Sequence, residues 1–340
     1  MEIKPFKAYR YNAKVVGNVG ACISPPYDVI SDRQQQELYK KSKYNIVRII
    51  RGKNEPGDSD GQNQYTRAAN YLSDWIAEGA LKQDEQPAIY GYVQNFDMWG
   101  KHFERLTFVA STRLEEFGPP GAVRPHEQIL RKPMLDRLSL TRATRARFGL
   151  VFMLYQDEDR VADKIIAEAA KGPTLMDCVD EQGVRHRLFA ITDDQKVDAI
   201  TKMMGDKTCI IADGHHRYTT GLTYSKECDD PAAKYQMIAF TNICQDGLVV
   251  LATHRLVANV EDFGMGDFLG RLKDKFTVTR YGFDTEPRSK ESAKKSLFAS
   301  SNSQSLCKNS ISDAVDPALL NSVAFFVHSL LIFAGSGVFP

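Results

Sequence analysis

CIIADGHHRY, residues 209–218, decides the fold. Cys209, Ile210, Ile211 and Ala212 make a short apolar strand, Asp213–Gly214 a turn, and His215, His216 and Arg217 the start of a helix continuing to Glu227. Glycine takes the backbone conformations that a sharp turn demands. A strand–turn–helix unit aims unpaired backbone N–H groups and a positive dipole end at whatever sits above the strand. Arg217 adds a fork-shaped cation suited to phosphate, and His215 and His216 add donors or a proton carrier. The unit therefore predicts an anion site, most simply for phosphate. The simpler alternative is that Asp213 caps the helix and the histidines are surface donors. Adjacent histidines point about 100° apart on a helix, so they seldom share a metal.

Outward from this unit, strand and helix signals alternate. Upstream lie GLVFMLY, VADKIIAEAA, RHRLFAIT and QKVDAITKMM, and downstream YQMIAFTNI and LVVLATHRLV flank a CQDG hairpin signal. A helix over 266–275 and a strand over 276–281 end the regular pattern. Nearer the start, NIVRIIRG (45–52) reads as a strand, and Tyr65, Ala68, Ala69, Leu72, Trp75, Ile76 and Ala80 share one helical face. Strands over 88–95 and 103–113 flank DMWG, a second hairpin candidate, and a helix is expected near 135–147. The mixture predicts the α+β class: a mixed sheet with hairpins and flanking helices around the strand–turn–helix. The expected divisions are 1–148, 149–285 and an atypical 286–340.

Forty-four basic residues face 43 acidic ones in 340, so no global field steers the chain to nucleic acid. A charged share of 26% and a hydrophobic share of 43% exclude wholesale disorder and a multi-span membrane protein. Six cysteines without a C-x-x-C pair argue against a zinc ribbon, and the start, MEIKPFKAYRY, lacks the apolar core of a signal peptide. The expected compartment is the cytoplasm. Residues 299–313 are rich in Ser and Asn, and 323–339 form an apolar run of 17 residues. A spanning helix needs about 20, so the tail is expected to be buried or poorly ordered rather than in a membrane.

Two further clusters could carry chemistry. SPPYDVIS (24–31) holds Asp28 in a proline-anchored loop, either as an ordinary turn carboxylate or as a functional one. RPHEQIL (124–130) places Arg124, His126 and Glu127 after a Gly/Pro turn, as a polar active-site loop or a helix start. RLSLTRATRAR (137–147) is a solvated helix face, or one that faces phosphate or nucleic acid. Walker-type, dinucleotide-binding, nucleophile-elbow and H-E-x-x-H motifs are absent.

PFKAYRYN (5–12), SPPYDVIS, PAIYGYVQNF (87–96), RPHEQIL, ADGHHRYTTGLTY (212–224) and THRLV (253–257) together resemble the bacterial family known as domain of unknown function 1015. More distantly, the strand followed by DGHHR and a helix resembles the ParB/sulfiredoxin superfamily, which includes nucleotide-dependent free-serine kinases. That resemblance implies that Asp213, Gly214, His215, His216 and Arg217 bind phosphates and take part in catalysis. With the family match, Asp28 becomes a candidate base or magnesium ligand, and Asp213 a further candidate for the metal. Arg124, His126, His254 and Arg255 join as candidate substrate or phosphate contacts.

The implied function is phosphoryl transfer from ATP or ADP, with Mg2+, to a small hydroxylated metabolite, free L-serine being the leading acceptor. Asp28 or Glu127 would take the hydroxyl proton. The alternative is a non-catalytic nucleotide-binding or DNA-associated regulatory module. Beyond residue 285 the sequence departs from the family pattern, which a truncated or frame-shifted end would explain.

Overall fold

The computed structural model describes residues 1–180, 182–249 and 261–271, together with the backbone of 272 and 332–334. Its strands are β1 (Ile3–Lys4), β2 (Tyr9–Tyr11), β3 (Leu81–Gln83), β4 (Ile89–Met98), β5 (Lys101–Arg113), β6 (Val123–Arg124), β7 (Ala146–Phe148), β8 (Val151–Tyr155), β9 (Met176–Val179), β10 (Arg185–Ile191), β11 (Cys209–Asp213), β12 (Tyr235–Asn242) and β13 (Ile332–Ala334). Its helices are α1 (Ala13–Val16), α2 (Asp32–Lys41), α3 (Val47–Ile50), α4 (Gln64–Ala77), α5 (Arg131–Thr144), α6 (Val161–Ala169), α7 (Asp194–Met204), α8 (His215–Glu227) and α9 (Met265–Leu272).

The chain divides into two compact units, residues 1–248 with 325–340, and 249–324. Among the described residues the second unit holds one helix, α9. The first is built on a mixed sheet ordered β6-β11-β8-β12-β5-β4-β10-β9, with β1 also on β5. β8 and β12 run parallel, as do β6 and β11, while the other pairs are antiparallel. The α+β class is therefore the observed one. The sheet interleaves strands from both sides of residue 148, because β5 lies between β4 and β12. A smaller sheet runs β3-β2-β13-β7.

Period-two alternation sorts the sheet's side chains into two cores. Phe108, Ala110, Ile238 and Phe240 join Ala162 and Ile166 of α6 and Ile200 and Met204 of α7. Val109, Met237 and Ala239 point the other way, with Tyr90, Tyr92 and Phe152. Burying each large side chain contributes about 1.5–3 kcal/mol. A third core gathers Leu38, Ile46, Ile49, Leu72 and Trp75 around Leu140 of α5. Helix α5 packs on both α4 and α8, which sets its arginines beside the strand–turn–helix unit.

The DMWG link is a two-residue hairpin turn, with Met98 opposite Lys101 and positive φ at Trp99 and Gly100. Helix α4 buries Ala68, Leu72 and Trp75, as its periodicity predicts. Two readings need correction. NIVRIIRG is not a strand: residues 47–50 form α3. The Asn45 side chain starts that turn by accepting from the Val47 N–H at 3.0 Å, and its amide donates to Ala21 O and Ile23 O. An apolar run of this length has no periodicity of its own to separate the two states, and tertiary partners decided. The helix expected near 135–147 begins at Arg131 and ends at Thr144, and Ala146–Phe148 is strand.

The expected strand LVVLATHRLV beyond residue 249, with His254 and Arg255, lies outside the described residues, as do the strand 276–281 and the Ser/Asn-rich segment. Of the apolar tail only the backbone of 332–334 is described, and it adds β13 between β2 and β7. Among the described residues no helix is long and apolar enough to cross a membrane.

Candidate functional site

Strand β11 passes into α8 through Gly214, which caps the helix with φ 96°. A side chain there would be strained and would also meet the folded-back Arg217 guanidinium, 3.1 Å from an added Cβ to Cζ. Asp213 does not cap the helix. Its carboxylate accepts from Arg217 Nη2, while Nη1 of the same guanidinium donates to Leu150 O. The Arg217 side chain is 7% exposed and that of Asp213 28%, so this is a largely buried pair. Removing one partner of such a pair costs about 3–5 kcal/mol.

The RPHEQIL loop is stitched onto the same helix start. Strand β6 runs parallel to β11, setting Arg124 beside Ile210. Beyond it the His126 N–H donates to Nε2 of His215 at 3.2 Å, and the Leu130 N–H donates to Nε2 of His216 at 3.0 Å. The His126 ring returns a bond, Nδ1 donating to Ile211 O at 2.6 Å. The His126 and His215 rings meet edge to face, with centroids 4.5 Å apart. Two motifs more than eighty residues apart thus form one cluster. Arg124 turns its guanidinium onto its own loop, donating to Gly121 O and Val123 O.

His215 is 1% exposed, and Oε1 of Glu127 lies 3.0 Å from its Nδ1. The carboxylate sits off the N–H direction, so the contact is an ion-pair distance rather than a hydrogen bond. Burial lowers the His215 pKa below its ordinary 6.5; Glu127 opposes the shift and His126 adds to it. Because Nε2 accepts, the hydrogen-bond network assigns the proton of the neutral ring to Nδ1, facing Glu127.

Donor atoms of His126, Glu127 and His215 lie within 4.8 Å of one another. Two ring nitrogens and one carboxylate suit a transition metal better than magnesium, which prefers oxygen. Nε2 of His126 is well prepared, since its Nδ1–H rests on a carbonyl. Nδ1 of His215 instead carries a proton, which leaves the set one lone pair short. Asp213, the other candidate metal ligand, is engaged by Arg217. The residues present therefore fit Mg2+ poorly.

Asp28 is exposed, in a turn closed by the Val29 N–H on Pro26 O. Its neighbour Tyr27 carries the Arg137 guanidinium over its ring at 3.9 Å. Burial raises the Tyr27 phenol; the Arg137 charge opposes this most, and the charges of Asp28 and Arg217 also act on it. The PPYD loop is thereby tied to α5. The Tyr27–Arg137 contact escaped the sequence reading because no local spacing connects residues so far apart. The basic stretch is a solvated face only in part: Arg142, paired with Glu227, and Arg145 are exposed, whereas Arg137 pairs with Asp136 and Arg147 is buried.

No curated protein and no solved structure matches the chain. A family model described as a protein of unknown function, DUF1015, matches residues 3–319, and the chain belongs to that family.

Proposed function

We propose that the chain transfers a phosphoryl group from a nucleotide to a small hydroxylated metabolite, with free L-serine the first acceptor to test. The observation that carries this reading is the convergence of Glu127, His126 and His215 at the start of α8. Such transfer needs positioned charge and a base beside the hydroxyl more than covalent chemistry. The glycine turn and the first N–H groups of α8 supply an anion-facing helix end. Glu127 is exposed, adjoins a buried neutral imidazole, and takes the role of base. Asp28 sits in the separate PPYD loop and is the second candidate. The strand–turn–helix also resembles the ParB/sulfiredoxin unit, whose members include free-serine kinases. Magnesium would arrive on the nucleotide phosphates.

The alternative is nucleotide binding without turnover, and the Asp213–Arg217 pair favours it, since that guanidinium is already largely neutralised. A DNA-associated role is weakened by the ion pairs of Arg137 and Arg142. The test is mass-spectrometric detection of O-phosphoserine after incubation with ATP or ADP, Mg2+ and L-serine. Product above the no-enzyme control supports the kinase reading. Saturable nucleotide binding without any phosphorylated alcohol, across a panel of hydroxylated metabolites, supports the alternative.

A further inference from the structure

Beneath α5 and α8 lies a pocket whose lining includes Arg137, Arg147, Arg217, Thr141, Thr220 and Gln236. Three guanidinium groups in one pocket repel one another unless countercharges are present. Asp136 answers Arg137, and Asp213 answers Arg217. Arg147 has no such partner: among the described residues no carboxylate lies within ion-pair distance of it. It is 7% exposed, and Nη2 donates to the Ala233 carbonyl at 3.0 Å. The Tyr224 ring lies 5.2 Å away. A cation this buried is normally paired, because the charge loses its hydration on leaving water.

A second observation points into the same space. Gln236 is 2% exposed, and its Oε1 has no hydrogen-bond partner among the described residues. Buried carboxamides are nearly always satisfied. A half-turn of the amide would present its N–H groups instead. The pocket therefore holds one uncompensated positive charge and one amide oxygen without a partner among the described residues.

We infer that this pocket binds the phosphate group of a small ligand, with Arg147 as its central cation and Gln236 as a neutral contact. A tetrahedral oxyanion offers acceptors in several directions, as converging planar forks require, whereas a carboxylate offers them in one plane. Burial holds the Arg147 pKa down to about 10, still far enough above neutrality to keep the charge. The pocket shares Arg217 with the cluster at the α8 start, but its assignment does not depend on turnover there.

The experiment uses the full chain. Inorganic phosphate, O-phospho-L-serine and AMP are titrated at constant ionic strength by thermal shift, with chloride as control. Crystals soaked in tungstate are examined by anomalous scattering. Expected are a saturable rise in Tm with at least one phosphate compound and a tungstate peak between Arg137 and Arg147. Gln236→Glu keeps the side-chain size and sets a carboxylate in the pocket, so affinity should fall at least tenfold. Arg147→Gln should do the same. Should it not fold by circular dichroism, Gln236→Glu and the tungstate position decide.

Arg113→Gln removes an exposed arginine paired with Glu2 and should leave affinity unchanged. Tighter binding of an ester than of phosphate identifies the ligand as an ester; the reverse identifies free phosphate; either supports the pocket. Unchanged affinity in folded Gln236→Glu, tungstate at the α8 start instead, or no saturable shift would overturn it. Failure to make phosphoserine leaves this inference intact, and loss of phosphate binding here leaves the kinase test intact.

Discussion

The backbone N–H of His126 donates to Nε2 of His215, and this bond fixes which nitrogen of a buried imidazole holds the proton. It also makes protonation of His215 unfavourable, since a second ring proton would face another N–H. Burial acts in the same direction.

Acid should therefore weaken the fold through His215. Its folded pKa lies below the ordinary 6.5, so the unfolded chain takes up the proton first. The stability conferred by the neutral ring is whole above pH 6.5 and is lost as pH falls through the lowered value. Melting temperatures from pH 8 to pH 5 should drop more steeply for wild type than for His215→Gln. Parallel profiles would dismiss the assignment.

Gly214→Ala should destabilise the protein by about 1–2 kcal/mol, the usual cost of left-handed backbone for an L-residue. It should also displace Arg217, whose guanidinium occupies the space of a Cβ. Urea denaturation measures the first effect. Gly214→Asn, which tolerates that backbone better, should cost less; equal costs would make the crowding by Arg217 the dominant effect.

Asp213→Asn leaves Arg217 buried without its countercharge and should cost about 3–5 kcal/mol. Asp213→Asn combined with Arg217→Met removes the stranded charge and should recover part of that loss. Additive penalties in this double-mutant cycle would show that the two residues are not coupled.

Glu127→Gln tests the proposed base. Its side chain is 55% exposed, so the melting temperature should hardly move. Phosphoserine formation should fall about 10²–10⁴-fold, the usual weight of a general base, with nucleotide affinity retained. Asp28→Asn should leave the rate near wild type. The opposite pattern would transfer the role to Asp28.

The strand–turn–helix was readable because its signals are local: an apolar run, a glycine at the turn, and a helix from His215 to Glu227. The β4–β5 hairpin was readable for the same reason. Residues 45–52 misled because Asn45 bonds to Ala21 and Ile23, contacts that no periodicity records. The RPHEQ and DGHHR motifs were both visible as chemistry. Their meeting was not, because it depends on the parallel pairing of β6 with β11. Arg147 looked like one charge in a basic helix; its burial follows from a strand that starts at Ala146.

The interleaved sheet also bears on how the chain is born. Thr107 and Thr241 share a hydrogen bond across 134 residues of sequence. At about 5–20 residues per second, the ribosome delivers β12 roughly 7 to 27 seconds after β5. For that interval one long edge of β5 stands without its neighbour, open to pairing with other chains. Low expression temperature and chaperone supply should therefore govern the yield of this protein more strongly than its final stability does.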